Sequence, residues 1–248
     1  MNPILISSYR NDGRLSTENR EISIKLNSVK SSTGSCLYKL GQTKVIAWIN
    51  GPNESKHITN EKNGNLKCIF TIAPFSTLIR KKDFKRDLKM KNFSKDLKDI
   101  FEQIVKLELY VKSEIIINVL LLQNDGNYKS ASINAVSMAL INAGIFIKDI
   151  AIGNNVGIND INNDDINIGS TENDNFLFDL SLNEEKQNLP ICNVAYLPHS
   201  KKFIYNEILN AKVKYKNVES VLKAAEDACV KIFEVEEEIL RGFLMNKL

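Results

Sequence analysis

Residues 80–91 read Arg-Lys-Lys-Asp-Phe-Lys-Arg-Asp-Leu-Lys-Met-Lys, and seven of these twelve positions are cationic. A cluster of that density neutralises phosphates and gives salt-sensitive, sequence-independent binding to nucleic acid. Phe84, set among the charges, offers a face on which a base can stack. The same residues also read as a solvated loop running into a helix, and composition leaves both readings open. Net charge over the whole chain is only +3, so affinity for a polyanion has to come from local clustering. A second charged group, Arg10, Arg14 and Arg20 around the turn Asp12-Gly13, is expected to pair with the nearby Glu18 and Glu21. Cys36, Cys68, Cys192 and Cys229 lack metal-ligand spacing and sit in apolar surroundings, which reads as reduced core cysteine. His57 and His199 are too few and too far apart for a zinc site. No metal and no cofactor is expected.

The elements that would position these residues follow from periodicity. At 248 residues, 43% hydrophobic and 25% charged, the composition is that of a globular protein of one large domain or two small ones. No apolar run approaches the roughly 18 residues that span a bilayer. Pro3-Ile4-Leu5-Ile6 lacks the cationic start of a signal peptide. The expected setting is therefore intracellular, with no membrane partner. Glu21 to Val29 alternates as a strand, and Gly34 to Pro52 reads as a meander with its turn at Gly41-Gln42 and its end at Gly51-Pro52. Residues 53–65 form a polar loop before a strand from Leu66 to Ala73. A helix is expected from about Asn92, because Phe93, Leu97, Ile100, Phe101, Ile104 and Val105 recur at helical spacing. Glu114 to Gln123 reads as a central strand buried on both faces. Ser130 to Ala143 is a helix of small residues stopped by Gly144. Strands follow at 147–158, 176–182, 191–197 and 202–209, with a turn at Pro198-His199-Ser200-Lys201. Residues 159–176 are an Asn/Asp-rich insertion. A long helix over 216–247 closes the chain, with Val218, Val221, Leu222, Ala225, Cys229, Ile232 and Phe233 on its apolar face and Glu234 to Glu238 outside it. The class is α/β.

Several short blocks occur in one order along this frame: Asp12-Gly13-Arg14 with Glu18 and Arg20, Gly34 to Pro52, Ala73-Pro74-Phe75-Ser76 before the basic run, Asp125-Gly126 with Ala131-Ser132-Ile133-Asn134-Ala135, Ala143-Gly144-Ile145, and Asp179-Leu180 with Glu184-Glu185. Each is weak alone. Together and collinear, they resemble the RNase PH family over nearly the whole chain, most closely its members in the RNA exosome ring. The resemblance implies one RNase PH-like domain over 1–248, of the ribosomal protein S5 domain 2-like fold, with a mixed sheet and packed helices.

Active members of that family degrade RNA by phosphorolysis. Phosphate is held at a glycine-rich turn opening a helix, with Thr/Ser and Arg side chains, and two aspartates bind a divalent ion or act as acid. Transferred to this chain, the turn is Asp125-Gly126-Asn127-Tyr128-Lys129, with Asn127 for a glycine, Tyr128 for Thr/Ser and Lys129 for Arg. Lys129 keeps a charge without the bidentate fork. A further family arginine falls near Leu88, beside Lys89, and the acidic pair falls at Glu185 and Ile191. Ile191 can neither bind metal nor move a proton. Glu185, Ile191, Tyr128 and Lys129 thus mark a degenerate site, and the chain is expected to be a non-enzyme.

By the same resemblance, Arg80, Lys81, Lys82, Lys85, Arg86 and Lys89 lie near a central channel, and Lys56-His57 lies at its constriction, so these are the expected RNA contacts. The Asp12-Gly13-Arg14 block is expected at a subunit interface and channel face. The implied partners are other RNase PH-like exosome subunits in a hexameric ring, cap subunits with S1/KH domains, a separate exosome nuclease and single-stranded RNA. The implied locations are nucleus, nucleolus and cytoplasm. The rival readings are an active phosphorolytic 3′-5′ exoribonuclease, a tRNA-trimming enzyme of this fold, another inactive ring paralogue, and a free-standing RNA-binding homo-oligomer.

Overall fold

The computed structural model describes residues 5–6, 9–55, 63–77, 80, 87–158, 176–210 and 215–245. Lys56, His57, residues 81–86 and nearly all of the Asn/Asp-rich stretch, 159–175, lie outside the described residues. In chain order the elements are β1 (Leu5–Ile6), β2 (Tyr9–Arg10), β3 (Ile22–Leu26), β4 (Gly34–Leu40), β5 (Thr43–Glu54), β6 (Asn65–Ile72), α1 (Leu88–Ile104) and β7 (Ser113–Gln123). They continue with α2 (Tyr128–Ala143), β8 (Ile152–Ile158), β9 (Phe176–Phe178), α3 (Leu182–Glu185), β10 (Ile191–Leu197), β11 (Lys202–Leu209) and α4 (Tyr215–Met245). The chain forms two compact units, one of Ile22–Asn124 with Ala131–Ala151, the other of Met1–Glu21, Asp125–Ser130 and Ile152–Leu248.

The first unit is built on a five-stranded sheet in the order β3-β4-β5-β7-β6. All neighbours are antiparallel except β6 and β7, so the sheet is mixed, as expected of the α/β class. Strict alternation places Cys36, Tyr38, Leu40, Val45, Ala47, Ile49, Ile115, Ile117 and Val119 on one face, each fully buried. Helix α1 covers that face, its Phe93 ring meeting Phe70 edge-on with centroids 4.8 Å apart. α1 begins earlier than the apolar periodicity predicts, because the Asp87 side chain caps it by accepting from the Lys89 N–H at 3.1 Å. Helix α2 supplies Asn134, whose amide donates to the buried Tyr38 hydroxyl at 3.2 Å.

Two sequence expectations are corrected here. β7 is not buried on both faces: Ile116, Asn118 and Leu120 keep partial exposure, between fully buried neighbours. β5 does not end at Gly51-Pro52 but runs to Glu54, because a register shift between Asn50 and Asn53 absorbs the proline, which cannot donate to the ladder.

The second unit carries a four-stranded antiparallel sheet in the order β11-β10-β8-β9. β8 is enclosed on both sides, with all seven of its residues buried, and β9 is buried throughout. α4 packs on β8, β9 and β10 through Val221, Ala225, Ala228, Cys229 and Ile232. Glu236, expected to lie outside the apolar stripe, is fully buried on it, two turns after Cys229. Residues 179–182 do not continue a strand. A short helix, α3, opens there, and the Ser181-Leu182-Asn183-Glu184 capping signature was the available signal.

A close approach fixes the end of α2 against β4. A Cβ on Gly34 would stand 2.4 Å from the Ala143 nitrogen and 2.5 Å from its Cβ. Gly34→Ala is therefore expected to cost about 2 kcal/mol through overpacking, read as a lowered midpoint in urea unfolding with an unchanged m-value.

Candidate functional site

The chemistry-bearing residues of the second unit gather where three segments meet: the N-terminal arginines, the turn opening α2, and the β9–α3 connection. The turn needs left-handed backbone at Gly126 (φ 87) and Asn127 (φ 52). A Cβ on Gly126 would lie 2.6 Å from the Leu182 nitrogen, so that connection passes directly over it. The Asn127 N–H, just ahead of α2, donates to Glu185 Oε1 at 2.7 Å. A helix N-terminus is a place for an anion, and here the protein's own carboxylate fills it.

Beneath this contact is a buried charge network. Arg20 donates from Nε to Asp179 Oδ2 at 2.8 Å and from Nη2 to Asp179 Oδ1 at 2.7 Å, and its backbone N–H reaches the same carboxylate at 2.9 Å. Arg20 also donates to the carbonyls of Asp125 (2.8 Å) and Gly126 (3.3 Å). The Asn127 amide completes the set, donating to Asp179 Oδ1 at 2.8 Å. Arg10 makes a second bidentate pair, with Glu184, at 2.8 and 2.5 Å, and donates to the Phe178 and Asp179 carbonyls. Glu184 in turn accepts from the Ser181 N–H and hydroxyl.

The arginines therefore do not pair with Glu18 and Glu21 as their sequence spacing suggests. Arg10 and Arg20 reach carboxylates more than 150 residues away, while Arg14 bonds Asp12, the Glu18 carbonyl and the Asp179 carbonyl. Arg10 is 2% exposed, so its side chain belongs to the interior, whereas Asp12 and Gly13 are exposed. Sequence reasoning missed Asp179 and Glu184 as the partners. Nothing local marks them beyond the capping pattern at Ser181.

Each position expected to be degenerate has a definite environment. Glu185 is the carboxylate at the α2 turn. Ile191 opens β10 inside an apolar cluster with Leu177, Leu180 and Leu189, where an ionised side chain would be costly. Tyr128 is the first residue of α2 and is half-buried. Lys129 forms an ion pair with Glu207, which also accepts from Tyr205 (3.0 Å) and Asn193 (3.2 Å). In the first unit, Arg80 and Lys89 are exposed. Among the described residues no group of three or more His, Cys, Asp or Glu side chains is placed to hold a metal ion.

The electrostatics follow from burial and partners. Burial pushes Asp179 up, but the Arg20 guanidinium and the Asn127 amide outweigh it and hold the carboxyl below its usual range. Glu184 is lowered likewise, burial being overcome by Arg10 and Ser181. Glu185 goes the other way: burial, helped by Asp179 and Asp125, outweighs the Asn127 N–H and Arg20, so its carboxyl is raised. Asp179 and Glu184 thus contribute stability that is present above their unfolded values and is lost as pH falls through their folded ones. Ionised Glu185 costs stability above its folded value, and that cost fades as pH falls toward 4.5, its ordinary value. Glu185→Gln, which keeps an acceptor for Asn127, should therefore raise the thermal midpoint at pH 8, with the gain shrinking toward pH 5. Asp179→Asn removes the buried partner of Arg20, leaving it the longer contact to the part-exposed Asp125 at 3.6 Å, and should cost about 3 kcal/mol; both are read by denaturation across pH.

Comparison with known proteins bears on this frame. Residues 18–146 match the family model RNase_PH, described as the 3′ exoribonuclease family, domain 1. The chain is 31% identical to the exosome complex component Rrp41 of Pyrobaculum arsenaticum over 99% of this chain and 93% of that one. It is 32% identical to the exosome complex component ski6 of Schizosaccharomyces pombe over 95% of this chain and 92% of that one. The fold superposes on the crystal structure of rice (Oryza sativa) Rrp46 with a TM-score of 0.75 at 20% identity, covering 91% of this chain and 97% of that one. With a family model spanning more than half its length and relatives above 30% identity along nearly all of it, this chain belongs to the RNase PH family of 3′ exoribonucleases.

Proposed function

We propose that this chain is a non-catalytic RNase PH-like subunit of an RNA exosome ring, where it helps build the channel and guides single-stranded RNA to a separate nuclease for 3′-5′ degradation and processing. The observation that carries this reading is the Glu185 carboxylate seated on the Asn127 N–H at the start of α2. A phosphate at that turn would have to displace a carboxylate already placed there. The burial of Ile191 among Leu177, Leu180 and Leu189 and the engagement of Lys129 by Glu207 support the same reading. Placement in the exosome draws on relatives that carry the name exosome complex component at matching length.

In this reading the whole chain acts as one module, with 159–176 inserted in it. Its neighbours are other RNase PH-like subunits, cap subunits with S1/KH domains and the nuclease, in nucleus, nucleolus and cytoplasm. Arg80 and Lys89, both exposed, contact RNA with Lys81, Lys82, Lys85 and Arg86, and Lys56 and His57 contribute at a second point.

Phosphorolysis tests the reading. With labelled single-stranded RNA, Mg²⁺ and phosphate, the chain should leave RNA intact while an active relative shortens it. Phosphate-dependent release of nucleoside diphosphates would overturn the proposal and give the raised carboxyl of Glu185 a catalytic part. In a retardation assay, replacing Arg80, Lys81 and Lys82 by Ala should weaken binding about ten-fold. It should also make the log–log salt slope shallower by about 2, since each lost phosphate contact on a single strand contributes about 0.7.

A further inference from the structure

Beyond the C-terminal ends of α1 and α2, three large apolar side chains of the first unit stand in solvent: Leu109, Val111 and Phe146 are 60%, 44% and 62% exposed. The backbone holds them there. The chain after α2 runs antiparallel to the chain after α1, with Val105 bridged to Ile147. The Lys106 N–H donates to the Phe146 carbonyl at 3.0 Å, and the Lys148 N–H donates to the Ile104 carbonyl at 2.9 Å. The Phe146 N–H donates to the Tyr110 hydroxyl at 3.1 Å, which ties this bridge to the residue between Leu109 and Val111. Ile145 and Val105 are buried, so Phe146 and Lys106, one step along from each, are turned outward together. Residues 104–112 and 144–148 carry three exposed lysines, Lys106, Lys112 and Lys148, against one carboxylate, Glu108. Lys148 gives one donor to the Gln103 carbonyl at 3.1 Å and keeps two. The stretch that carries Lys56 and His57 is anchored on the same segment at both ends. The Ser55 N–H donates to the Lys112 carbonyl at 3.0 Å, and the Gly64 N–H donates to the Leu107 carbonyl at 2.9 Å.

We propose that this patch is a contact for single-stranded RNA, with a base stacked on Phe146 and backbone phosphates met by Lys106, Lys112 and Lys148. The proposal rests on the RNA-guiding reading above and adds to it a site apart from the basic run at 80–91. Stacking on a ring needs only a π-face, so any base serves, and lysines beside the ring hold the strand by its phosphates. Phe146 is fixed through both its N–H and its carbonyl, so little order is lost when a base lies on it. A specific protein interface draws about 800 Å² from each partner. Three apolar side chains among lysines are a small centre for such a contact and a sufficient one for a short run of nucleotides.

The test uses the full chain, alone and co-expressed with the other RNase PH-type chains of its own genome, and a labelled oligouridylate. Ultraviolet irradiation should cross-link the RNA to the peptide that carries Phe146. Phe146→Ala, at an exposed position, should weaken retardation about ten-fold, with Phe146→Tyr within about two-fold of the parent. Retention on heparin, a polyanion without bases, should not change in Phe146→Ala. Lys106→Ala with Lys112→Ala should make the log–log salt slope shallower by about 1.4, at about 0.7 for each lost phosphate contact. No cross-link at Phe146, or unchanged retardation of Phe146→Ala, overturns the inference. An equal loss on heparin overturns it too, since charge alone would then account for the binding. If replacing Arg80, Lys81 and Lys82 still weakens binding in those cases, the RNA-guiding reading stands without this site. If neither set of variants weakens binding, the RNA-guiding reading falls with it. If Phe146→Ala keeps its RNA but no longer joins the other chains, the patch belongs to a protein partner and the inference is overturned.

Discussion

The second unit depends on one buried ion pair, Arg20 with Asp179. Burying either without the other would be costly, because a buried charge stripped of its closest partner loses several kcal/mol; the remaining contacts, Arg20 to Asp125 at 3.6 Å and Asp179 to Arg14 at 3.7 Å, are longer. Asp179 sits at φ 52, a backbone shape unusual outside glycine. That shape turns its carboxylate to accept from Arg20 and Asn127 at once. Arg20 spends its remaining donors on the carbonyls of Asp125 and Gly126, the residues that form the turn into α2. One guanidinium thus holds the N-terminal segment, the α2 turn and the β9–α3 connection together, and the Arg10–Glu184 pair repeats the arrangement one step along α3.

That dependence constrains what the neighbouring turn can do. An anion site at a helix N-terminus works when N–H groups point into a space that a ligand enters. Here Gly126 is closed by the Ser181–Leu182 backbone, and Glu185, one residue beyond the ion-paired Glu184, is carried onto the Asn127 N–H. The same short helix that presents Glu184 to Arg10 therefore presents Glu185 to α2. Burial and two nearby aspartates outweigh the Asn127 N–H and Arg20, so the charged form of Glu185 is disfavoured there. The network supplies stability, and the occupied turn accompanies it.

Much of this frame was legible in the residues. The alternation of Cys36, Tyr38 and Leu40 against Val45, Ala47 and Ile49 specified a hairpin and its buried face, because a one-residue slip would turn every side chain outward. The helical recurrence of Phe93, Leu97 and Ile100 specified α1. The missing parts lay where local pattern carries no information. β7 is as apolar as a doubly buried strand, yet one face is open, and only its place beside β5 and β6 decides that. Pro52 reads as a strand end until a bulge is seen to absorb it. The arginines have acidic neighbours in sequence, and nothing nearby says that their partners are Asp179 and Glu184. Ile191 was visible as a letter, but the apolar cluster it completes with Leu177, Leu180 and Leu189 was not.

These observations separate two properties that RNase PH-type chains can combine. The fold needs the Arg20–Asp179 pair, the close contact of Gly34 with α2 and the alternating faces of the sheet. Catalysis would need an open turn and a pair of carboxylates free to hold an ion. The two sets overlap only at α3, a single turn of helix that faces both ways. Ile191 belongs to the first set, since it extends a core already made by Leu177, Leu180 and Leu189.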